Sequence, residues 1–273
     1  MFKLSVVVST HQASFEAISF AGSAAESFAQ VRAAGYDGAE LAVRNAGEVR
    51  AEELLRHAAK HSLEIPAIGT GQMWGDEGLS LTSEDEQIRH KIVERLAQHI
   101  ELAAELDAVV IIGLVRGVFP RPEKREIARE WLKEGLAEVA QMAASRGVKV
   151  AVEAINRYET AYVNSVRDGL ELLDAIGHDS LGLLLDTFHM NIEEPDMAES
   201  IRMCGARIFH FHLADSNRWY PGAGHIDFAA LFSALREAGY TGYLSGEFRP
   251  KPTGAKSIEK ALRYLGPLLE ELS

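Results

Sequence analysis

Cysteine, basic charge and long apolar segments are scarce in this 273-residue sequence. The single cysteine, Cys204, excludes an internal disulfide and fits a protein of the reducing cytoplasm. The longest apolar run, AVVIIGLV from Ala108, is far too short to span a membrane. The apolar run near the start is also too short for a signal peptide. We therefore expect a cytoplasmic protein with no membrane partner.

Excess negative charge is the second compositional signal, since the net charge is −12 at pH 7. Proteins that bind a nucleic-acid backbone do so through a basic face, so this acidity argues against a nucleic-acid partner. The turn Gly69-Thr70-Gly71 is a weak phosphate signal, because it lacks a full P-loop or dinucleotide-binding pattern. The composition gives no support to nucleic-acid or nucleotide binding.

Short apolar strand patterns alternate with helical patterns along the whole chain, with short connections and no low-complexity segment. Eight strand segments are recognisable: KLSVVVS, DGAELAV, LEIPAIG, AVVIIG, VKVAVEA, LGLLLD, IFHFHL and GYLSGEF. Strands separated by helices indicate a parallel sheet covered by helices. Eight units in this length indicate a closed (β/α)8 TIM barrel. We predict one barrel domain over residues 1–273.

Helix-start signals support this division. Ser83-x-x-Glu86 and Ser165-x-x-Asp168 predict capped helix starts, and Asp227 predicts an N-cap before FAALFSALREAG. Pro122 predicts the beginning of another helix.

Polar residues that end four consecutive strands carry the main functional signal. Strands five to eight end at Glu153, Asp186, His212 and Glu247. Active sites of such barrels lie at the carboxyl ends of the strands, so these side chains should meet. Singly, each could cap a helix, form an ion pair or be a buried hydrogen-bonded group. Together they indicate a metal centre, because carboxylates packed there without a cation would repel one another. One imidazole with three carboxylates favours Mn²⁺, Co²⁺ or Mg²⁺, and is compatible with Zn²⁺.

Further polar residues should reach the same end of the barrel from the loops. Glu159, His189 and Arg218 follow strands five, six and seven, although each could instead be an exposed loop residue or an ion-pair partner. Arg116, after strand four, is a candidate to bind a substrate carboxylate, with a rim salt bridge to Glu123 or Glu126 as the equal alternative. Gln72, after strand three, could hold a nearby hydroxyl group.

Several motifs identify a resemblance that covers essentially the whole chain. They are VEAINRYET, LLLDTFHMN, HFHLADSNRWYPGAGHIDF and the late glutamate of GYLSGEF. The chain resembles the xylose-isomerase-like sugar isomerase and epimerase superfamily, in the branch of D-tagatose 3-epimerase. The stretches AIGTGQ, VIIGLVRG and DTFHMNIEE resemble the 5-keto-L-gluconate epimerases of inositol catabolism most.

The resemblance implies specific roles. The family's metal ligands correspond to Glu153, Asp186, His212 and Glu247, and the two glutamates are also its acid/base pair. Substrate contacts correspond to Glu159, His189 and Arg218, and His210 supports the metal histidine. The implied reaction is epimerisation beside the ketone of a keto sugar or keto sugar acid, through an enediolate stabilised by a divalent cation, preferably Mn²⁺. The implied substrate is 5-keto-L-gluconate, converted to D-tagaturonate, and the implied assembly is a homodimer or homotetramer.

Four alternatives stay open at this point. The same residues could serve an aldose–ketose isomerase of the hydroxypyruvate isomerase kind, or an epimerase of neutral ketohexoses. A nuclease of the endonuclease IV type shares the barrel, but it needs a three-zinc cluster with more histidines and a DNA-binding face. A non-catalytic sugar-binding barrel would not need both Glu153 and Glu247.

Overall fold

A closed barrel of eight parallel strands forms the centre of the molecule. The computed structural model describes residues 2–11 and 16–271. Within these residues the barrel strands are β1 Lys3–Ser9, β2 Gly38–Ala42, β3 Ala67–Gly69, β4 Val109–Ile112, β5 Val150–Glu153, β6 Leu181–Asp186, β7 Ile208–Leu213 and β8 Tyr243–Gly246. Each pairs in parallel with the next, and β1 pairs with β8, which closes the barrel. A two-residue strand, Phe20–Ala21, extends the sheet beside the end of β1.

Helices surround this barrel and follow the strands in the chain. The helices of the described residues are α1 Ala24–Ala34, α2 Ala51–His61, α3 Gln72–Glu77, α4 Glu86–Leu106, α5 Arg125–Ser145, α6 Val166–Ile176, α7 Thr187–Glu193, α8 Met197–Cys204, α9 Phe228–Glu237 and α10 Gly254–Glu270. The short helices α3 and α7 directly follow β3 and β6, so they lie at the carboxyl ends of the strands. The prediction of a (β/α)8 TIM barrel is confirmed.

Side chains along each strand point alternately toward the surrounding helices and into the barrel. One face of each strand packs with the helices in a large apolar cluster, in which Val6, Leu41 and Phe211 take part. On the barrel side, a smaller cluster contains Ala67, Ile111, Ala151 and Leu184. Because successive strand side chains point to opposite faces, polar residues two apart, such as His210 and His212, share the barrel interior.

The structure confirms two of the three predicted helix N-caps. Ser165 and Asp168 form a complete capping box, and the Asp227 carboxylate accepts from the Ala230 amide. The expected capping box at Ser83 is wrong, because Asp85 caps α4 by accepting from the Gln87 amide. The Ser83 hydroxyl instead accepts from the amide of Asp85, in the turn before the helix.

Pro122 begins a short 3-10 helix, Pro122–Lys124, and α5 starts directly after it. No helix of the described residues is both long and apolar enough to cross a bilayer. A single domain over residues 1–273 stays a prediction, because Met1, residues 12–15 and residues 272–273 lie outside the described residues.

Candidate active site

The four predicted ligands meet at the carboxyl ends of β5 to β8. Glu153 and Asp186 are the last residues of β5 and β6, His212 lies near the end of β7, and Glu247 follows β8. Each offers a ligand atom, and these atoms all lie within 4.8 Å of one another. The side chain of Glu247 is 13% exposed, and the other three residues are buried.

Two buried atoms in this cluster have no hydrogen-bond partner. They are Asp186 Oδ2 and His212 Nδ1, which lie 3.8 Å apart. His212 Nδ1 is also 3.8 Å from Glu247 Oε2. Buried polar atoms are almost always satisfied, so two orphaned atoms that face each other indicate a missing shared partner. Such spacing suits atoms that bind one cation rather than one another.

The two carboxylate oxygens of Asp186 have different surroundings. Its Oδ1 caps α7 by accepting from the amides of Phe188 and His189, at 2.7 and 3.4 Å. Its other oxygen, Oδ2, faces the cluster. The cap therefore fixes the rotamer that presents Oδ2 to a ligand, and helix capping does not compete with cation binding.

Burial controls the acidity of the cluster. Burial, aided by the negative charge of Glu247, raises the pKa of Glu153 to about 8. Burial likewise raises the pKa of Glu247 to about 7, against the opposing charges of His212 and Arg218. Burial lowers the pKa of His212, but the surrounding carboxylates outweigh it and raise that pKa to about 10. The cluster therefore retains protons unless a cation compensates the carboxylates, and cation binding would release them.

The donor set fits a divalent cation. Three carboxylates and one imidazole are hard ligands of the kind that Mn²⁺, Mg²⁺ and Co²⁺ accept, and Zn²⁺ also tolerates this set. A second group of potential ligands, Glu40, His210 and His212, shares one residue with the first. Its atoms are already hydrogen-bonded to one another, so the first group suits a cation better.

Arg218 and His189 form the wall beside the cluster. The Arg218 guanidinium donates to Glu247 Oε2 at 2.7 Å and lies 4.8 Å from the centre of the Phe188 ring. His189 Nε2 is 3.1 Å from Arg218 Nη1 and 3.6 Å from Glu153 Oε1. Burial and the charge of Arg218 hold the pKa of His189 well below its usual value, so its ring is neutral.

Glu159 and Asn156 complete this wall. The Asn156 side-chain amide lies 2.7 Å from His189 Nδ1 and donates to Glu159 Oε1 at 2.9 Å. Glu159 Oε1 is also 3.9 Å from Arg218 Nη1. The structure thus brings Glu159, His189 and Arg218 together beside the ligand cluster.

A loop folded around one buried carboxylate places Arg218. Asp215 accepts from the amides of Ser216, Gly222 and Ile226, which lie before and after Arg218 in the chain. Arg218 itself has a φ of 58°, a left-handed conformation that costs a non-glycine residue free energy. Tertiary contacts must therefore hold the Arg218 backbone in place.

A cavity of about 250 Å³ connects these residues to the opposite wall. That wall is mostly apolar and contains Val7, Ala42, Trp74, Ile111 and Leu114. Gln72 lies there too, and its Nε2 donates to the Ser9 hydroxyl at 2.9 Å. Its buried Oε1 has no partner, so the position predicted for Gln72 is compatible with binding a substrate hydroxyl.

Arg116 lies apart from this cavity, unlike the other predicted contacts. It is fully buried, and its guanidinium donates to the carbonyl oxygens of Tyr162, Val163 and Gly113 at 3.2–3.3 Å. The alternative prediction, a rim salt bridge, is wrong, since Glu123 and Glu126 lie near Arg121 and Arg129 instead. The sequence correctly placed the Arg116 backbone after the end of β4. It did not show that backbone carbonyl groups would surround the side chain.

Glu40 is the site residue that sequence reasoning missed. It lines the cavity from β2, and its carboxylate contacts both His210 and His212. A glutamate within an otherwise apolar strand segment is the signal that could have identified it.

A closed (β/α)8 barrel with a cluster of potential cation ligands and a cavity at its carboxyl end is an arrangement typical of barrel enzymes that use a divalent cation. Residues 28–268 match the Xylose isomerase-like TIM barrel family. The chain belongs to that family.

Its relatives are named as sugar epimerases. The chain is 34% identical to the L-ribulose 3-epimerase of Mesorhizobium japonicum, over 80% of this chain and 73% of the relative. It is 28% identical to the 3-dehydro-D-guloside 4-epimerase of Escherichia coli, over 82% and 86% of the two chains. A structure of D-allulose 3-epimerase from Methylomonas sp. in complex with D-allulose superposes with a TM-score of 0.81 at 26% identity, covering 98% of each chain. The prediction of an isomerase that acts on carbohydrates is confirmed.

Proposed function

We propose that this enzyme epimerises a keto sugar at the carbon next to the ketone, with Glu153 and Glu247 as the acid/base pair. The observation that carries the proposal is the placement of two glutamates, Glu153 and Glu247, in one cluster of potential ligands beside the cavity. Without a cation, burial raises the pKa of both, to about 8 and about 7, so either carboxyl group can hold a proton. Non-catalytic sugar binding would need neither the raised pKa values nor the second glutamate.

The reaction needs one C–H bond to break and another to form on the opposite face. One glutamate takes the proton from the carbon beside the ketone, and a planar enediolate results. The other glutamate delivers a proton to the opposite face, and the ketone reforms. A divalent cation held by Glu153, Asp186, His212 and Glu247 would supply Lewis-acid polarisation of the ketone.

Neighbouring residues stabilise and orient the reacting groups. Arg218, placed beside Glu247 at 2.7 Å, can donate to an oxygen on which negative charge develops. Neutral His189 adds a hydrogen-bonding group without adding charge. Glu159 and Gln72 provide contacts for the sugar hydroxyls, and the apolar wall limits the access of water.

For the substrate itself we propose 5-keto-L-gluconate, converted to D-tagaturonate in inositol catabolism. The motifs AIGTGQ, VIIGLVRG and DTFHMNIEE support this choice through their resemblance. A neutral ketohexose is the second candidate, because Arg218 is the one arginine or lysine among the described residues that line the cavity. It already pairs with Glu247, so a substrate carboxylate would depend on neutral donors such as Gln72.

The proposal also includes the cation, the cellular location and the assembly. We keep Mn²⁺ as the preferred cation, a cytoplasmic location and a homodimer or homotetramer. An aldose–ketose isomerase would transfer hydrogen between adjacent carbons and give an aldose. The product therefore distinguishes this reaction from epimerisation. A three-metal nuclease is disfavoured, since the two candidate ligand groups of the described residues share His212.

A substrate panel tests the function. The Mn²⁺-loaded enzyme is incubated with 5-keto-L-gluconate, D-tagaturonate, D-fructose, D-tagatose and L-ribulose, and the products are identified by NMR. We expect the epimer beside the ketone as the main product, with kcat/KM highest for the keto acids. A faster reaction with neutral ketoses would overturn 5-keto-L-gluconate as the substrate and favour a neutral ketose. Aldose products, or no reaction at all, would overturn epimerisation.

A further inference from the structure

Glu40 lies across the barrel interior from the residues that it contacts. It belongs to β2, whereas His210 and His212 belong to β7, and the strands β1 and β8 separate these two. Ser5 and Ser245 face each other in register on these intervening strands. Their small side chains leave room for the Glu40 carboxylate to reach β7 through the barrel.

The contacts of this carboxylate are short and buried. Glu40 Oε2 is 2.7 Å from His210 Nε2, and Glu40 Oε1 is 3.0 Å from His212 Nε2. None of the three residues is more than 2% exposed, and the two rings are nearly perpendicular, at 82°. Both imidazoles direct the same ring nitrogen, Nε2, at one carboxylate. Since a carboxylate only accepts hydrogen bonds, both Nε2 atoms act as donors.

This arrangement determines which nitrogen of His212 is available for a cation. Because Glu40 holds a proton on Nε2, the nitrogen left to bind a cation is Nδ1, the atom that has no partner and faces Asp186 and Glu247. A carboxylate bound to the outer nitrogen of a metal-binding histidine fixes its tautomer and ring orientation and increases its donor strength.

We propose that Glu40 is a positioning residue for the metal centre: it holds His212 with Nδ1 directed at the cation, while His210 binds the other carboxylate oxygen and fixes Glu40. This inference rests on the proposed function, because it requires a cation at the cluster. It assigns the buried glutamate of β2 to cation binding rather than to the stability of the barrel alone.

The test compares Mn²⁺ affinity by isothermal titration calorimetry on the metal-free protein. Glu40→Gln keeps the size of the side chain but weakens its hydrogen bonds to the two rings. We expect its Kd for Mn²⁺ to rise by about 10- to 100-fold. His99→Gln is the matched control, since His99 is fully buried and bound through both ring nitrogens to the carbonyl oxygens of Arg95 and Val43. That control should lose stability and keep the wild-type Kd.

The outcomes separate the inference from the proposed function. Wild-type affinity in a folded Glu40→Gln protein would overturn the role of Glu40 and leave the metal centre standing. Failure of the wild-type protein to bind a divalent cation would overturn both. If Glu40→Gln does not fold, ¹⁵N NMR of the Zn²⁺-loaded wild-type protein decides the question. We expect a proton on Nε2 of His212, and a proton on Nδ1 would contradict the proposal.

Discussion

At the scale of single residues, the buried guanidinium of Arg116 connects the turn after β4 to the loop after β5. It donates to carbonyl groups of residues that follow Glu153 and Glu159 in the chain, at Tyr162 and Val163. Its charge is fully buried, so these hydrogen bonds compensate for its lost hydration. Arg116 therefore stabilises the loop that carries Glu159.

Arg116→Ala is expected to act on stability rather than on substrate choice. It leaves carbonyl oxygens unpaired and opens a cavity, which should lower the free energy of unfolding by about 2–4 kcal/mol in urea titrations. Any rise in KM should be equal for keto acids and neutral ketoses. Arg121→Ala, an exposed arginine nearby, should change stability by less than about 0.5 kcal/mol. A selective loss of keto acid binding in Arg116→Ala would contradict this expectation and support a role of Arg116 in binding a substrate carboxylate.

The site residues that the sequence predicted are marked by a local pattern, whereas the role of Glu40 depends on contacts with residues far away in the chain. Glu153, Asp186 and Glu247 each end an apolar run, and strand-end position is a local property that a barrel converts into proximity. Glu40 lies inside a strand, and its partners are 170 and 172 residues away in the chain. No local sequence pattern indicates a contact across the barrel, so the role of Glu40 could be recognised only from the structure.

At the scale of elements, the turn after β4 approaches the acid/base pair closely. A Cβ atom on Gly113 would lie 2.9 Å from Glu153 Oε2, which is too short for an undisturbed contact. Glycine at this position therefore lets the Glu153 carboxylate keep its place in the cluster.

Gly113→Ala should displace the Glu153 carboxylate and weaken cation binding. We expect the Kd for Mn²⁺ to rise by about 10-fold or more, since ligand misplacement is costly for a centre that needs defined geometry. Gly71→Ala is the control, because a Cβ there meets nothing within 4 Å and its φ is −56°. Equal affinities of both variants would show that Glu153 tolerates the extra methyl group.

Substitution of Asp215 should disturb the loop after β7 and thereby displace Arg218. Asp215→Asn removes acceptor capacity for the surrounding amides, so Arg218 should lose its position, and kcat/KM should fall by about 10- to 100-fold. Asp227→Ala, which removes the N-cap of α9, should cost about 1 kcal/mol of stability and leave kcat/KM unchanged. Unchanged kcat/KM in Asp215→Asn would show that the loop holds Arg218 without this carboxylate.

Strands and long helices were predictable because each carries its own periodic pattern, whereas short elements were not. The six-residue α3 and seven-residue α7 have too few turns for a periodic pattern, yet they carry Gln72 and His189. The start of α4 was misplaced because Ser83 matched a capping box while the neighbouring Asp85 made the cap. Neighbouring cap residues compete, and sequence spacing alone does not rank them.

At the scale of the whole molecule, cation binding should couple activity to stability. Removal of metal with a chelator should abolish epimerisation, and Mn²⁺ or Co²⁺ should restore it. Because a bound ion stabilises only the folded state, Mn²⁺ at 100 times its Kd should raise the free energy of unfolding by about 2.7 kcal/mol. Thermal unfolding of the metal-free and Mn²⁺-loaded protein measures this effect. Full activity after complete chelation would contradict a metal-dependent reaction.

The barrel as a whole brings together four strand ends that are spread over residues 153–247 of the sequence, so its closure creates the site. The count of eight strand patterns was enough to predict closure. The cavity wall opposite the cluster was not predictable, since it is built from Val7, Ala42, Trp74 and Leu114, which have no distinctive pattern in the sequence.

The central claim, that two opposed glutamates exchange the proton beside a ketone, is tested most directly by solvent exchange. The Mn²⁺-loaded enzyme is incubated with its ketose or keto acid in D₂O, and deuterium at the epimerised carbon is followed by proton NMR. We expect the wild-type enzyme to incorporate one solvent deuteron in the epimer. Glu247→Gln should remain folded and lose this exchange by about 10²–10⁴-fold. Undiminished exchange in Glu247→Gln, or epimerisation by the wild-type enzyme without deuterium incorporation, would contradict the account.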